Sequence, residues 1–492
     1  MDPHALLLHI PGNKRRFEDG PGLADEFHLH YVSFVHECAH WFQVNGTTFG
    51  ALAQLITYSQ GRNCLGRLEQ MSRGKRQRLV ERRIRFGEPI TGRRRSGDAE
   101  IQDLCDNWRD HEDALELAVN GLSSRRRVDR ATVLQSVFGV YALSAAAQAG
   151  FQEYPSDEWA EDIYQPGELG VVEIATEDGR ISVRSLLEGA ATAQELLAML
   201  SIGGISVFQG RRQQGEQLEA WRKLTGRTRG YARAFRLFLR FYKPDARAIR
   251  RPETLQLFSF LCDLALNPMV APARVPLDYN GEWRDIYPPI RFVRLLQVLP
   301  RDEDLGRRLS PDTLAAVREQ LLERAGLGAF PVAFGPDWGD EDYEIFLKGR
   351  PAEESRVIME HQRFRLWVQA HCWRKRAQNP WVFVNCHDYL FGARGDRPAL
   401  LRDRETRGWV VPPFRWAYKR SRGETLGMVD VDRTHGTDIL LAAAADISQF
   451  ELMSASGKLA LPQFPRGDRD FIRRCVRASY ENRFAVAAFS AW

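Results

Sequence analysis

The chain has 492 residues, of which 44% are hydrophobic and 27% charged, and its formal net charge is +5. These values are typical of a soluble globular protein that is large enough for two or three domains or lobes. No apolar run reaches the roughly 18 residues that a membrane-spanning helix needs, and the apolar run at residues 5–8 is too short for a secretory signal.

The first predicted elements are a short strand at residues 5–10 and a long helix at residues 24–44. The helical segment, ADEFHLHYVSFVHECAHWFQV, contains no Gly or Pro, and apolar residues lie on almost every side of its helical wheel. An apolar surface on all sides is typical of a buried helix. We therefore expect this helix to run through the centre of a domain.

This helix contains the run HECAH at positions 36–40, an HExxH pattern. The spacing places the imidazoles of His36 and His40 on one helix face, one turn apart, where both can bind a single Zn²⁺. Glu37 is offset around the helix and can reach a water molecule bound to that metal. Zinc lowers the pKa of such a water, and a carboxylate general base can then remove its proton.

Gln43 lies seven residues after His36 and points roughly the same way on the helix. It is a candidate contact for a substrate or for a metal ligand. The alternative interpretation is that both histidines are hydrogen-bonded core residues without a metal. That alternative leaves two rings and a carboxylate unexplained within one buried turn.

A site with two histidines needs a third protein ligand and one position open for water. Residues 170–183 are typical of two short β-rich runs around the turn signal Asp178-Gly179, and residues 185–195 are typical of a helix. Glu188 lies in this helix beside small residues that allow another backbone to approach closely, so it is the favoured third ligand. Glu195, seven residues later, is a candidate hydrogen-bond partner for a ligand histidine.

A second candidate for the third ligand lies in the segment NWRDHEDALELA at residues 107–118. Asp110, His111, Glu112 and Glu116 crowd one predicted helix there. The same pattern is typical of a solvated acidic face on an amphipathic helix. Both interpretations stay open, and Glu188 is the favoured ligand.

An HExxH helix followed by a glutamate on a second helix resembles the zincin metallopeptidases of the glutamate-ligand type, the gluzincins. The resemblance covers the HECAH helix and, more loosely, the segment LLEGAATAQE. It implies that His36, His40 and Glu188 bind Zn²⁺ and that Glu37 is the general base. It also implies a zincin-like catalytic core and hydrolysis of peptide bonds.

Zincin peptidases often place a Tyr or His opposite the metal, where it stabilises the oxyanion. Tyr389 and His387 lie in the segment VFVNCHDYL, at the predicted transition from a strand at residues 381–385 to a loop. His435 lies in the segment RTHG. Loops after strands are frequent catalytic positions, so these three residues are candidates, although each alone is also typical of a structural residue.

The whole pattern predicts a mainly α-helical fold with small β elements (α+β), in which helical lobes surround the zincin-like core. We divide the chain into a metallopeptidase region at residues 1–205, a helical region at residues 206–330 and a mixed α/β region at residues 331–492. No internal repeat and no low-complexity linker marks these boundaries.

Arginine-rich blocks occur at residues 73–95, 125–127 and 211–251. Such stripes can bind nucleic acid or an acidic protein, but no zinc-finger, RRM-like or helix-turn-helix signature accompanies them. The third block alternates Arg with Phe, Leu and Tyr, which is equally typical of an amphipathic helix with arginines that reach the surface. Nucleic-acid binding is therefore the less favoured interpretation.

Two functions from different classes remain open. The first is a cytoplasmic zinc peptidase that acts on a protein or peptide substrate and is controlled by a regulatory protein partner. The second is a non-catalytic helical interaction protein with a structural or vestigial metal site and basic docking surfaces. The seven cysteines are scattered without a CxxC pair, which argues against a disulfide framework and favours a reducing cytoplasm. We expect no membrane association.

Overall fold

The structure is a computed structural model, and it describes residues 8–12, 23–76, 99–105, 108, 175–176, 179–202, 217–218, 220–222, 224–226, 232–242, 248–268, 288–300, 304–328, 368–369, 372–373, 376–391, 414–419, 425–430 and 466–484. Helices dominate these residues, so the fold is mainly α, as the sequence predicts. No helix in these ranges is long and apolar enough to cross a bilayer.

The main α-helices of the described residues are α1 (Leu23–Gly46), α2 (Thr48–Gln70), α3 (Val183–Ile202), α4 (Ala232–Tyr242), α5 (Pro252–Ala265), α6 (Pro288–Gln297), α7 (Asp304–Arg308), α8 (Leu314–Arg324), α9 (Cys386–Phe391) and α10 (Arg466–Phe484). Two 3₁₀ helices span Ala248–Arg250 and Pro380–Phe383. The strands are β1 (Leu8–Gly12), β2 (Ala175–Thr176), β3 (Gly179–Arg180), β4 (Phe414–Lys419) and β5 (Thr425–Asp430).

The strands pair in two groups. One sheet has the order β1–β4–β5, with β1 parallel to β4 and β4 antiparallel to β5. The register pairs Leu8 with Phe414 and Arg415 with Asp430. Strands β2 and β3 form an antiparallel pair directly before α3. Helix α1 packs against β1, so this sheet lies beside the HECAH helix.

The end of α1 is fixed by a tight connection to α2. Thr47 caps α2, because its hydroxyl accepts a hydrogen bond from the Gly50 N–H at 2.9 Å and donates one to the Gln43 carbonyl at 2.5 Å. Gly46 lies against the Phe383 ring so closely that a Cβ would collide with it. The 3₁₀ helix at Pro380–Phe383 therefore rests on the last turn of the HECAH helix.

Helix α3 lies at the centre of the core and packs against α1, α4, α5 and α6. Ala190 and Ala193 are buried in this core, and their small side chains allow α1 to approach closely. The largest fully buried side chains include Trp41, Phe235, Phe238, Phe258, Phe260 and Phe292. Each such side chain stabilises the fold by roughly 1.5–3 kcal/mol. The core contains side chains from all three regions of the sequence, so later segments hold the HECAH helix in place.

Arginine side chains close the ends of several helices. The carbonyls at the end of a helix lack intrahelical partners and carry partial negative charge. Arg291 is buried and donates to the carbonyls of the last turn of α5 at 3.1–3.2 Å. Arg294 donates to the carbonyls that end α8. Arg376 donates to the Gly46 carbonyl at the end of α1 at 2.6 Å.

Candidate metal centre

The two histidines of the HECAH run lie one turn apart on α1 and face the same side. Their ring centroids are 4.9 Å apart and the ring planes are 82° apart. The side chains of His36 and His40 are 20% and 15% exposed, whereas Val35 and Cys38 are fully buried in the core. Helix α1 is therefore buried on its other faces, while the histidine face opens partly to solvent.

Glu188 on α3 points at both imidazoles. Its Oε2 atom lies 3.7 Å from Nε2 of His36 and 3.5 Å from Nε2 of His40. One donor atom from each of the three residues lies within 4.8 Å of the others. The structure thus brings together the three side chains that the sequence predicts as zinc ligands.

The spacing of these atoms fits a bound metal ion. Zinc binds His nitrogen and carboxylate oxygen at about 2.0–2.2 Å, so two ligands at the corners of a tetrahedron lie about 3.4 Å apart. Both distances from Glu188 Oε2 are close to this value. Two imidazoles and a carboxylate are also a donor set that zinc commonly takes. These three residues could therefore hold a metal ion with only a small adjustment.

The other nitrogen of each ring has its own partner. Nδ1 of His36 lies 3.2 Å from Glu195 Oε2, although the pair lacks the alignment of a full hydrogen bond. Nδ1 of His40 lies 2.9 Å from Oε1 of Gln43. Groups that engage Nδ1 in this way orient a histidine so that Nε2 faces the metal. The structure therefore places Glu195 and Gln43 where the sequence predicts support for the ligands.

Charges within the site shift two pKa values. Burial lowers the pKa of His36, but the contacts with Glu188 and Glu195 outweigh it and raise the pKa to about 9. Burial raises the pKa of Glu188, but the adjacent imidazoles of His36 and His40 outweigh it and hold the pKa well below its usual range. The carboxylate of Glu188 and the two imidazoles are therefore electrostatically coupled.

Glu37 follows His36 on α1 and is half-buried. Its negative charge contributes to the raised pKa of His36, which shows that its carboxylate acts electrostatically on the site. In the HExxH pattern this residue is the general base.

A distant segment packs against the two helices that carry the site. Helix α9 packs against both α1 and α3. Oε1 of Gln194 accepts a hydrogen bond from the Cys386 N–H at 2.9 Å, and its Nε2 donates to the carbonyls of Phe383 and Val384 at 3.3 and 2.7 Å. The thiol of Cys386 lies 3.7 Å from the carbonyl of Val35. Residues 383–386 are thereby held against the neighbours of His36 and Glu195.

The predicted strand at residues 381–385 is wrong, since Pro380–Phe383 is a 3₁₀ helix followed by α9. Pro at the first position favours a helical turn. The Gln194 side chain donates to the carbonyls of Phe383 and Val384, which in a strand would accept hydrogen bonds from a neighbouring strand. His387 and Tyr389 therefore lie on a helix and not in a loop. His387 is half-buried, and burial lowers its pKa, although Asp388 opposes the shift.

Some sequence candidates lie outside the described residues. These are His435 and the rival ligand cluster Asp110, His111, Glu112 and Glu116. For Tyr389, the backbone is described as part of α9. Gln194, in contrast, joins α3 to residues 383–386 but is not among the residues that the sequence predicts for the site. Its one sequence signal is a polar residue within the apolar face of a buried helix, where a polar group needs a partner.

No protein-family model, curated protein or solved structure matches this chain. The arrangement of His36, His40 and Glu188 is therefore the observation that supports a function.

Proposed function

We propose that this chain is a zinc-dependent peptidase with a zincin-like core and small β elements, in which His36, His40 and Glu188 bind Zn²⁺. The observation that carries the proposal is the convergence of three donor atoms within 4.8 Å of one another, with Glu188 Oε2 near tetrahedral spacing from both imidazole nitrogens. The partial exposure of the two rings favours catalysis over a structural role. Structural zinc sites are closed by four protein ligands, whereas catalytic sites keep one position open.

Bound zinc would supply Lewis acidity, which lowers the pKa of a water molecule and polarises a peptide carbonyl. Glu37 would accept a proton from that water and return it to the leaving amine. Glu195 and Gln43 would hold the two rings so that each Nε2 faces the metal. The charge of Glu188 would lower the net positive charge of the loaded site.

The substrate is a protein or peptide, as the resemblance to gluzincins implies. The strand pair β2–β3 directly precedes α3, and its edge could hold an extended peptide by strand addition. His387, Tyr389 and His435 stay candidates for stabilising the oxyanion. All seven cysteines are free and buried, which fits a cytoplasmic setting.

A regulatory protein partner fits a peptidase with large helical parts around its site.

Nucleic acid is less favoured as a partner. Helix α4 buries Phe235, Phe238 and Tyr242 and leaves Arg240 exposed, so part of the third arginine block forms an amphipathic helix. The alternative function is a non-catalytic interaction protein with a structural metal site. Measurements of zinc content and proteolysis distinguish this function from that of a peptidase.

The test is metal content and proteolysis of the full chain. We expect one zinc per chain and cleavage of an unstructured protein such as casein. Glu37→Gln should retain zinc and lose at least about a hundredfold in rate, because an amide cannot accept the proton. Glu319→Gln, on the exposed side of α8, is the matched control and should cleave like the parent. A folded chain that binds no zinc would refute the proposal, and full activity in Glu37→Gln would refute the mechanism.

A further inference from the structure

The side-chain amide of Gln43 connects the two helices that carry the ligands. The residue is 7% exposed. Its Oε1 lies 2.9 Å from Nδ1 of His40, and its Nε2 donates to the carbonyl of Leu187 at 3.1 Å. Leu187 immediately precedes Glu188 on α3. One amide therefore touches a ligand ring on α1 and the backbone beside the ligand carboxylate on α3.

These two contacts determine the tautomer of His40. A backbone carbonyl only accepts hydrogen bonds, so the NH₂ of Gln43 must face Leu187 and its oxygen must face His40. That oxygen also only accepts, so Nδ1 of His40 must carry a proton. In the neutral ring, Nε2 is then left with its lone pair directed towards Glu188 and the metal position.

We propose that Gln43 is a positioning residue of the metal centre. It turns the His40 ring so that Nε2 faces the metal position. Its hydrogen bond to the Leu187 carbonyl holds the adjacent Glu188 level with that ring. This inference rests on the proposed metal site. In it, the neutral side chain of Gln43 aligns two of the three metal ligands, His40 and Glu188.

The chemistry requires an amide at this position. A glutamate would still accept from His40, but its oxygens would face the carbonyl of Leu187 without a hydrogen to share. The other side of Gln43 lines a narrow internal pocket together with Asp263, whose carboxylate is buried. A carboxylate at position 43 would therefore add a second negative charge to that pocket. A methionine would keep the volume and lose both hydrogen bonds.

The experiment measures Zn²⁺ and Co²⁺ binding to the full chain by competition with a chromophoric chelator, together with the visible spectrum of the Co²⁺ form. Gln43→Met should weaken zinc binding by about 10–100-fold, the usual effect of losing a partner of a ligand histidine. Gln43→Glu should lie between the parent and Gln43→Met, because it keeps one of the two hydrogen bonds. The cobalt bands should shift in both variants, since they report the ligand geometry.

Gln54 provides the matched control. It is also buried, and its Nε2 joins α2 to α1 by donating to the Val44 carbonyl and to Asn45 Oδ1 at 2.9 and 3.1 Å. Gln54→Met should lower the melting temperature of the metal-free chain but leave the zinc affinity and the cobalt spectrum unchanged.

The outcomes separate the two proposals. If the parent binds neither metal, the metal site itself is refuted and the role of Gln43 with it. If the parent binds both metals and Gln43→Met matches its affinity and spectrum, only the role of Gln43 is refuted. If Gln43→Met does not fold, Gln43→Glu decides: parental affinity with a parental spectrum overturns the inference, and weaker binding with shifted bands supports it.

Discussion

Arg376 forms an ion pair with Asp263 in the interior of the protein, beside the end of α1. The two side chains are 4% and 10% exposed. The guanidinium also donates to the Gly46 carbonyl and lies 3.8 Å above the Phe383 ring. Burial raises the pKa of Asp263 and lowers that of Arg376, and their mutual attraction opposes both shifts. The pair thus joins the HECAH helix, α5 and the segment that leads to α9.

Breaking this ion pair from one side should be costly. Arg376→Met leaves the Asp263 carboxylate buried without its counter-ion, which typically destabilises a protein by about 3–5 kcal/mol. The double variant Asp263→Leu/Arg376→Met removes both charges and should recover much of that loss. Urea unfolding of the metal-free chain measures both effects.

An exposed pair serves as the control. Arg473 and Asp470 are each 47% exposed and lie 3.3 Å apart on α10, so Arg473→Met should change the free energy of unfolding by at most about 1 kcal/mol. Equal effects of Arg376→Met and Arg473→Met would contradict a structural role for the buried pair.

The carboxylate of Glu188 should determine zinc affinity. Glu188→Gln keeps the shape but replaces an anionic oxygen with a neutral amide oxygen. Removing a hydrogen-bond partner of a metal ligand usually weakens metal binding by about 10–100-fold. Removing a ligand itself should weaken it more, so we expect zinc binding to be at least roughly a hundredfold weaker. Chelator competition measures it, and Glu323→Gln on the exposed side of α8 is the control. Parental affinity in Glu188→Gln would show that another residue is the third ligand.

The stability of the metal-free chain should depend on pH through His36. Its pKa rises from 6.5 to about 9 on folding, so the folded state binds a proton that the unfolded state releases above pH 6.5. The resulting stabilisation is complete below pH 6.5 and is lost as the pH rises towards 9. It amounts to at most about 3.5 kcal/mol, because one pKa unit corresponds to about 1.4 kcal/mol.

In acid, the stability of the metal-free chain should depend on Glu188. Its pKa falls below the usual 4.5 on folding, so its contribution is present above pH 4.5 and is lost in stronger acid. Urea unfolding with a chelator present, from about pH 2 to about pH 10, checks both limits. In His36→Gln the decline between pH 6.5 and 9 should disappear, and its persistence would assign it to another group.

The sequence predicts the parts of the site that are local to one helix. The spacing of His36, His40 and Gln43 follows from helical periodicity alone, and α1 extends through the predicted range. Glu188 and Glu195 are likewise seven residues apart on one helix. No periodicity reveals that Gln194 would bind the carbonyls of Phe383 and Val384. That tertiary contact accompanies a 3₁₀ helix at Pro380–Phe383 and α9 at Cys386–Phe391, so the strand prediction for an apolar run is wrong.

Helix α9 leads to a prediction for the oxyanion. Its first residue contacts Gln194 on α3 and Val35 on α1, so α9 is fixed on the two helices that carry the site. His387 follows directly and is half-buried, and burial lowers its pKa, which favours the neutral ring. A neutral imidazole can donate one hydrogen bond to a developing negative charge. His387→Gln should therefore lower kcat by about 10²–10³-fold, the usual effect of losing one such donor.

The same variant should bind zinc like the parent, because His387 is not one of the three ligands. KM should change less than kcat, since the hydrogen bond strengthens only as charge develops in the transition state. Steady-state kinetics on a fluorogenic peptide, with zinc content measured in parallel, provide the readout. If kcat stays at the parental value in His387→Gln, the role passes to Tyr389, the other candidate on α9. In that case Tyr389→Phe, which removes only the hydroxyl donor, should show the loss.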